Sequence, residues 1–528
     1  MKLFGEIITR QRRAFRTRAL PAVALSALLA TTSLSIASAA PPAASAAVVT
    51  SVPASVPKAK VTGPVTGGKG INLEGTTSFD LSSVGYEQKE YFLSGTASAY
   101  TSAAALTSNG RWAVHPASSA PYTTRMVVYR PINPERFDGT VVVEWLNVSG
   151  GVDAAAAWLT DHVQMLRSGM VYVGVSAQAA GIVGSAGSLG ATAGQAGGIK
   201  GADPARYSSL EHPGDSYSYS IFEQAGAAVR RDAATVLSGL KPQRILALGE
   251  SQSATRLVTY INALQPQSKG VFNGYFIYSR FGSGAALSEA PQPVINPPTP
   301  AIIRTDLTVP VMMFETETDV AVLGYDVARQ PPTKFIREWE VTGTAHYDTY
   351  GLVESMTDTG NGVGDVKTFD TMIDPVSSFD GGAISCPVPL NAGAHTYELR
   401  AAVVALDNWV VTGTPPPQSP RLDVSGPGAY ATNSNGEAVG GIRTPQVAAP
   451  IAVVNGTGDM SSAGGGFCKL FGTTIPFTAA KLAQLYPTHQ AFVKKWDKAV
   501  ASDVSKGYLL TADAKALDKV ATKSSIGG

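Results

Sequence analysis

Charge and cysteine are both scarce in this chain. Only 15% of its 528 residues are Asp, Glu, Lys or Arg, and 41 basic side chains stand against 40 acidic ones, a net charge of +1. The basic side chains form no stripe of the kind that binds nucleic acid. Residues 1–39 hold six Lys/Arg and one Asp/Glu; without them the balance is 35 to 39, a net charge of −4. A mildly acidic protein has no electrostatic reason to seek nucleic acid or anionic lipid. Two cysteines, Cys386 and Cys468, are too few for a disulfide-dense scaffold or a Cys/His zinc site. H-E-x-x-H, P-loop and EF-hand patterns are absent, so no metal and no organic cofactor is implied. Beyond residue 39 no apolar run is long enough to span a bilayer.

What is present begins with a targeting signal. Arg10, Arg12, Arg13, Arg16 and Arg18 precede an apolar stretch from Ala19 to Ile36, which ends in the small residues Ala37, Ser38 and Ala39. That is the layout of a signal peptide over residues 1–39, and it predicts an exported protein. Arg12-Arg13-Ala14-Phe15 resembles the core of a twin-arginine signal, and the general secretory route fits equally well. In an oxidising compartment the Cys386 and Cys468 pair reads as one disulfide. Residues 40–60 are Ala, Pro, Val and Ser with almost no charge, the composition of a linker.

Thereafter the pattern is β-rich and then alternates strand with helix. Arg125 to Tyr129 and Thr140 to Leu146 read as strands, Asp153 to Arg167 as a helix, Met170 to Val175 as a buried strand, and Tyr219 to Leu240 as a helix. Strand Arg244 to Leu248, helix Ala254 to Leu264, and strands Gly274 to Tyr278, Val309 to Phe314 and Phe335 to Val341 follow. Early antiparallel strands leading into βα units predict an α/β protein with a mainly parallel sheet and helices on both faces. The 54 Gly and 34 Pro suit long irregular connections, concentrated in 415–476.

One strand carries chemistry. Arg244-Ile245-Leu246-Ala247-Leu248 runs into Gly249-Glu250-Ser251-Gln252-Ser253 and at once into a helix, the context of a nucleophile elbow. The usual G-x-S-x-G becomes G-x-S-x-S here, with Ser253 in place of the second glycine. A serine alcohol needs a base, and the base needs a third group to orient it. Of the six histidines outside the signal peptide, His346 follows a strand in the small-residue loop Gly343-Thr344-Ala345-His346. His212, in Glu211-His212-Pro213-Gly214-Asp215, is the second choice for the base and is expected to line the pocket. The acid should fall between serine and base in chain order, after the next-to-last strand. Asp319 in Glu315-Thr316-Glu317-Thr318-Asp319 has the favoured spacing, with Glu317 as the alternative. For the oxyanion, the backbone N–H of Gln252 is one expected donor; Val148, in the turn Asn147-Val148-Ser149-Gly150-Gly151, is the other, with Asn147 in the pocket.

Together, Gly139 to Gly151, Gly249 to Ser253, Glu315 to Asp319 and Gly343 to His346 resemble the bacterial alpha/beta hydrolase domain family. The similarity extends to His212-Pro213-Gly214-Asp215-Ser216-Tyr217 and to Tyr486-Pro487-Thr488-His489, hence to nearly all of the chain after the signal peptide. The resemblance implies the α/β-hydrolase fold and a triad of Ser251, Asp319 and His346, but no particular substrate. The expected division is a hydrolase core over 61–412 and a C-terminal lid or accessory layer over 413–528 packed on it. The expected reaction is hydrolysis of a small-molecule carboxylic ester through an acyl-enzyme; an amide or lactone, or binding without catalysis, would use the same fold.

Overall fold

The computed structural model describes residues 52–186, 197–379, 382, 384–426, 428–460 and 465–528. The expected signal peptide and the first part of the expected linker lie outside these residues. Alternating apolar strands dominate what is described. A ten-stranded sheet is built from β1 (Lys60–Thr62), β2 (Tyr86–Thr101), β3 (His115–Pro131), β4 (Thr140–Trp145), β5 (Val171–Val175), β6 (Arg244–Glu250), β7 (Gly274–Tyr278), β8 (Val311–Thr316), β9 (Ile336–Thr342) and β10 (Ile442–Arg443). Their spatial order is β1-β2-β3-β5-β4-β6-β7-β8-β9-β10. The pairs β1–β2, β2–β3 and β3–β5 are antiparallel, and every pairing from β5 through β4 to β10 is parallel.

The period of two along each strand decides the layers. Val141, Val143, Ile245, Ala247 and Ile277 enter one apolar core, whereas Val142, Leu246, Leu248, Phe276 and Phe314 enter another on the opposite face. Helix α1 (Ala156–Ser168) covers the second face, while α2 (Ser218–Arg231) and α3 (Gln252–Ala263) cover the first. Helix α4 (Val363–Ile373) lies outside these layers, and α5 (Thr396–Thr412) joins α1 on the second face. Strands buried on both faces are mostly apolar on both, as in Val141 to Val143, Ile245 to Leu248 and Val311 to Phe314.

Two boundaries differ from the sequence reading. Residues 52–60 do not all behave as linker: Val56 and Ala59 are buried in the first core, and Arg231 donates to the carbonyls of Pro53, Val56 and Pro57. Their bland composition hides a packed segment, because the polar partner for its backbone is a distant arginine. The segment after 412 also does more than lie on the core, since β10 extends the main sheet, with Ile442 opposite Val341. Beyond it, α6 (His489–Lys506) and α7 (Thr511–Lys523) enclose a third apolar cluster with Phe369 and Met372 of α4.

Register places the site. Trp145 of β4 is opposite Gly249 of β6, Glu250 opposite Tyr278 of β7, and Thr316 of β8 opposite Val341 of β9. The carboxyl ends of β4, β6, β8 and β9 therefore open on one edge of the sheet, where α/β proteins place their sites.

Candidate active site

Ser251 sits between β6 and α3 with φ 56° and ψ −116°. A non-glycine residue in that region is strained, and here the turn is held from several sides. Ser251 N–H donates to the Tyr278 carbonyl at 2.9 Å, which fixes the end of β6 against β7. A Cβ on Gly249 would lie 2.7 Å from the Ser253 carbonyl oxygen, so the first small position is obligatory. The departure at Ser253 has its own reason. Its hydroxyl accepts from Glu250 N–H at 3.1 Å and donates to the Glu250 carbonyl at 2.8 Å, which staples the elbow.

His346, on the loop after β9, lies with its Nε2 2.8 Å from Ser251 Oγ and its Nδ1 2.5 Å from Asp319 Oδ1. A carboxylate only accepts, so Nδ1 carries the proton and donates to Asp319, which leaves Nε2 free to accept from the serine hydroxyl. Asp319 is fully buried. Its other oxygen accepts from the N–H of Thr316 at 2.6 Å and from the Thr316 hydroxyl at 2.7 Å, so the end of β8 aims it. Burial alone would push His346 down; the charge and hydrogen bond of Asp319, with the charge of Glu250, outweigh it and raise the imidazole above its ordinary value.

The two carboxylates after β8 part company. Glu317 does not reach His346: its oxygens accept from Gly343 N–H at 2.5 Å and Gly456 N–H at 2.7 Å. Burial raises it to about 7, against those two bonds. It braces the loop that carries the histidine to the C-terminal region, and the π-helical turn Thr318–Val322 brings Asp319 round instead.

Gln252 opens α3, so its N–H has no acceptor within the helix and lies directly after Ser251. In the turn after β4, Asn147 N–H donates to the Ala154 carbonyl and Ser149 N–H to Asn147 Oδ1, while the N–H of Val148 between them has no acceptor among the described residues. Asn147 lines the cavity at Ser251, and its amide donates to Glu250 Oε2 at 2.8 Å. His212 does not line that cavity. Its Nε2–H donates to the Ala177 carbonyl at 2.9 Å and its Nδ1 accepts from Gly214 N–H, so one ring nitrogen braces the segment after β5 and the other its own loop. A histidine before Pro-Gly has this bracing role open to it, and sequence does not separate the two.

Glu250 was hidden at the variable position of the elbow motif. Its Oε1 lies 3.6 Å from His346 Nε2, and it is buried. Burial raises its carboxyl to about 7, with the charge of His346 opposing and that of Asp319 adding. Among the described residues no group of His, Cys, Asp and Glu could hold a metal ion. Cys386 and Cys468 are joined in a disulfide, with Cα atoms 5.6 Å apart.

A mainly parallel sheet with helices on both faces, whose elbow presents a serine to a histidine oriented by an acid, in the chain order serine, acid, histidine, defines an α/β hydrolase. The chain belongs to the alpha/beta hydrolase domain family, whose model matches residues 61–519. No curated protein matches it. Among solved structures, a thermostable esterase from Pseudomonas putida ECU1011 is similar at 14% identity over 54% of this chain and 80% of that one, with a TM-score of 0.26. Esterases from Rhizomucor miehei are similar at 14% identity over 45% of this chain and 74% of theirs, with a TM-score of 0.25. These likenesses concern the fold alone.

Proposed function

We propose that this protein is an exported serine esterase that cleaves a small-molecule carboxylic ester through an acyl-enzyme. The observation that carries the reading is the unbroken chain from Ser251 Oγ through His346 to Asp319, at 2.8 and 2.5 Å. In the forward step His346 Nε2 takes the Ser251 proton as Oγ attacks the carbonyl carbon, and the imidazolium that forms is stabilised by Asp319 at Nδ1. The same Nε2–H then passes the proton to the departing alkoxide, leaving the acyl group on Ser251. Water deacylates the serine by the reverse sequence. The N–H groups of Gln252 and Val148 would hold the oxyanion, and loss of one such donor costs about 3–4 kcal/mol of transition-state stabilisation. No cofactor enters these steps.

The test is labelling by a small alkyl fluorophosphonate followed by peptide mapping. Modification of Ser251, lost in Ser251→Ala and greatly slowed in His346→Ala, is the expected outcome; an unlabelled Ser251 in folded protein would remove the reading and favour a binding protein. Export rests on residues 1–39. It predicts secreted material beginning near Ala40, whereas cytosolic protein retaining Met1 would refute it. No helix among the described residues is long and apolar enough to cross a membrane.

A further inference from the structure

The cavity above Ser251 has a volume of about 400 Å³. Ligand pockets run from about 300 to 1,000 Å³, so this one suits a compact small molecule. Part of its wall is supplied by two stretches that are remote in sequence. Phe379 and Ile384 face it from a short hairpin in which they are cross-strand partners, and Phe467, Leu470 and Phe471 face it from the other stretch. Cys386, two residues past Ile384, is bonded to Cys468, next to Phe467.

The rings continue across the join. Phe379 meets Phe471 edge to face with centroids 5.4 Å apart, and Phe471 stacks on Phe467 at 6.2 Å. The unit is also tied to the site, because Tyr347 N–H, next to His346, donates to the Leu470 carbonyl at 3.3 Å. Polarity is one-sided. Its lining includes the acidic residues Glu74 and Glu250 and no Lys or Arg among the described residues. An anionic substrate group would lose its water there with no cation to replace it.

We infer that the ester this site takes carries an uncharged apolar group of modest size, and that Phe379, Ile384, Phe467 and Phe471, on the two segments joined by Cys386–Cys468, form its specificity-determining wall. The inference rests on Ser251 being the nucleophile. Two substrate series test it: p-nitrophenyl alkanoates of increasing acyl length, and alkyl acetates of increasing alcohol length, with p-nitrophenyl hemisuccinate as the charged comparison. In at least one series kcat/KM rises about four-fold per added methylene until the cavity is full. The hemisuccinate is slower than the pentanoate by about 100-fold or more.

Phe467→Ala, at a half-buried position, lowers the ratio of hexanoate to acetate turnover by about ten-fold. Phe467→Trp, which keeps the wall filled, moves the optimum to a shorter chain. Fluorophosphonate labelling on the same samples separates the two levels of the reading. If Ser251 is labelled and esters turn over, yet both series are flat or the hemisuccinate keeps pace, the wall is wrong and the nucleophile stands. If Ser251 is neither labelled nor needed for turnover, both fall together.

Discussion

At the scale of single residues, Asp319 and Glu317 are two positions apart, both buried, and they face different partners. Asp319→Asn should lower kcat by about 10⁴, because an amide opposite Nδ1 favours the wrong tautomer. Glu317→Gln should leave turnover within about ten-fold and cost about 1–3 kcal/mol of stability, since an amide NH₂ would then face one of two backbone N–H donors. Ester kinetics and thermal melts on both variants check this, and a Glu317→Gln protein that melts normally but has lost turnover would reverse the assignment. The pH profile is a second residue-level expectation. His346 must be neutral to take the serine proton, and it is raised, so kcat/KM should fall in acid with a midpoint above the ordinary imidazole value of about 6.5. Glu250→Gln removes a negative charge 3.6 Å from Nε2 and should move that midpoint down. An unchanged midpoint would mean that Glu250 does not act on the imidazole.

At the scale of elements, the elbow and the clipped wall carry different kinds of constraint. The elbow is steric: Gly249→Ala would drive a Cβ to 2.7 Å from the Ser253 carbonyl oxygen and 2.8 Å from its carbon, both backbone atoms that cannot swing aside. That variant should be destabilised by about 1–3 kcal/mol, the ordinary range for overpacking, and should lose fluorophosphonate labelling as Ser251 shifts. Thermal melts and labelling rates are the measurements. The wall is held by covalent topology. The Cys386–Cys468 bond spans 82 positions, and by chain entropy such a loop is worth about 4–5 kcal/mol of stability before native strain is counted. A double Cys386→Ser, Cys468→Ser variant should therefore melt many degrees lower, and unreduced peptide mapping of secreted protein should recover the bridged pair; two free thiols would remove the bridge from the fold.

At the scale of the whole molecule, buried ionisable groups set how stability follows pH. Burial is the leading cause that raises Glu144 to about 8, Glu223 to about 7 and Glu317 to about 7. These groups hold protons in the folded state that the unfolded chain has already released, so their contribution is full below the ordinary carboxylate range and is lost as pH rises through 7 to 8. His346 is raised and acts in the same direction. His162 and His212, lowered by burial, act oppositely, but only below about pH 6.5, where the unfolded chain protonates. The melting temperature should thus decline from about pH 6.5 to pH 8, the interval over which turnover is rising. A melting curve that is flat or climbs across that interval would contradict it.

The sheet and the position of the elbow were legible in the chain because both depend on local rules. Strands buried on both faces need apolar runs, as in Val141 to Val143 and Ile245 to Leu248, and a strand-to-helix turn needs small residues beside Ser251. Chain order also pointed to Asp319 and His346, each after a strand, and the fold brings both to Ser251. What the sequence left open was every choice between chemically equal side chains: Asp319 or Glu317, His212 in the pocket or on a brace, Glu250 as a spectator or a neighbour of the imidazole. Those depend on where a side chain points after its loop has turned, which is set by partners distant in sequence such as Gly456 for Glu317 and Ala177 for His212. The apolar wall was invisible for the same reason, since Phe379 and Phe471 become neighbours only when the chain between them has folded back. Local periodicity is a property of the chain, but convergence of remote residues on one cavity is a property of tertiary packing alone.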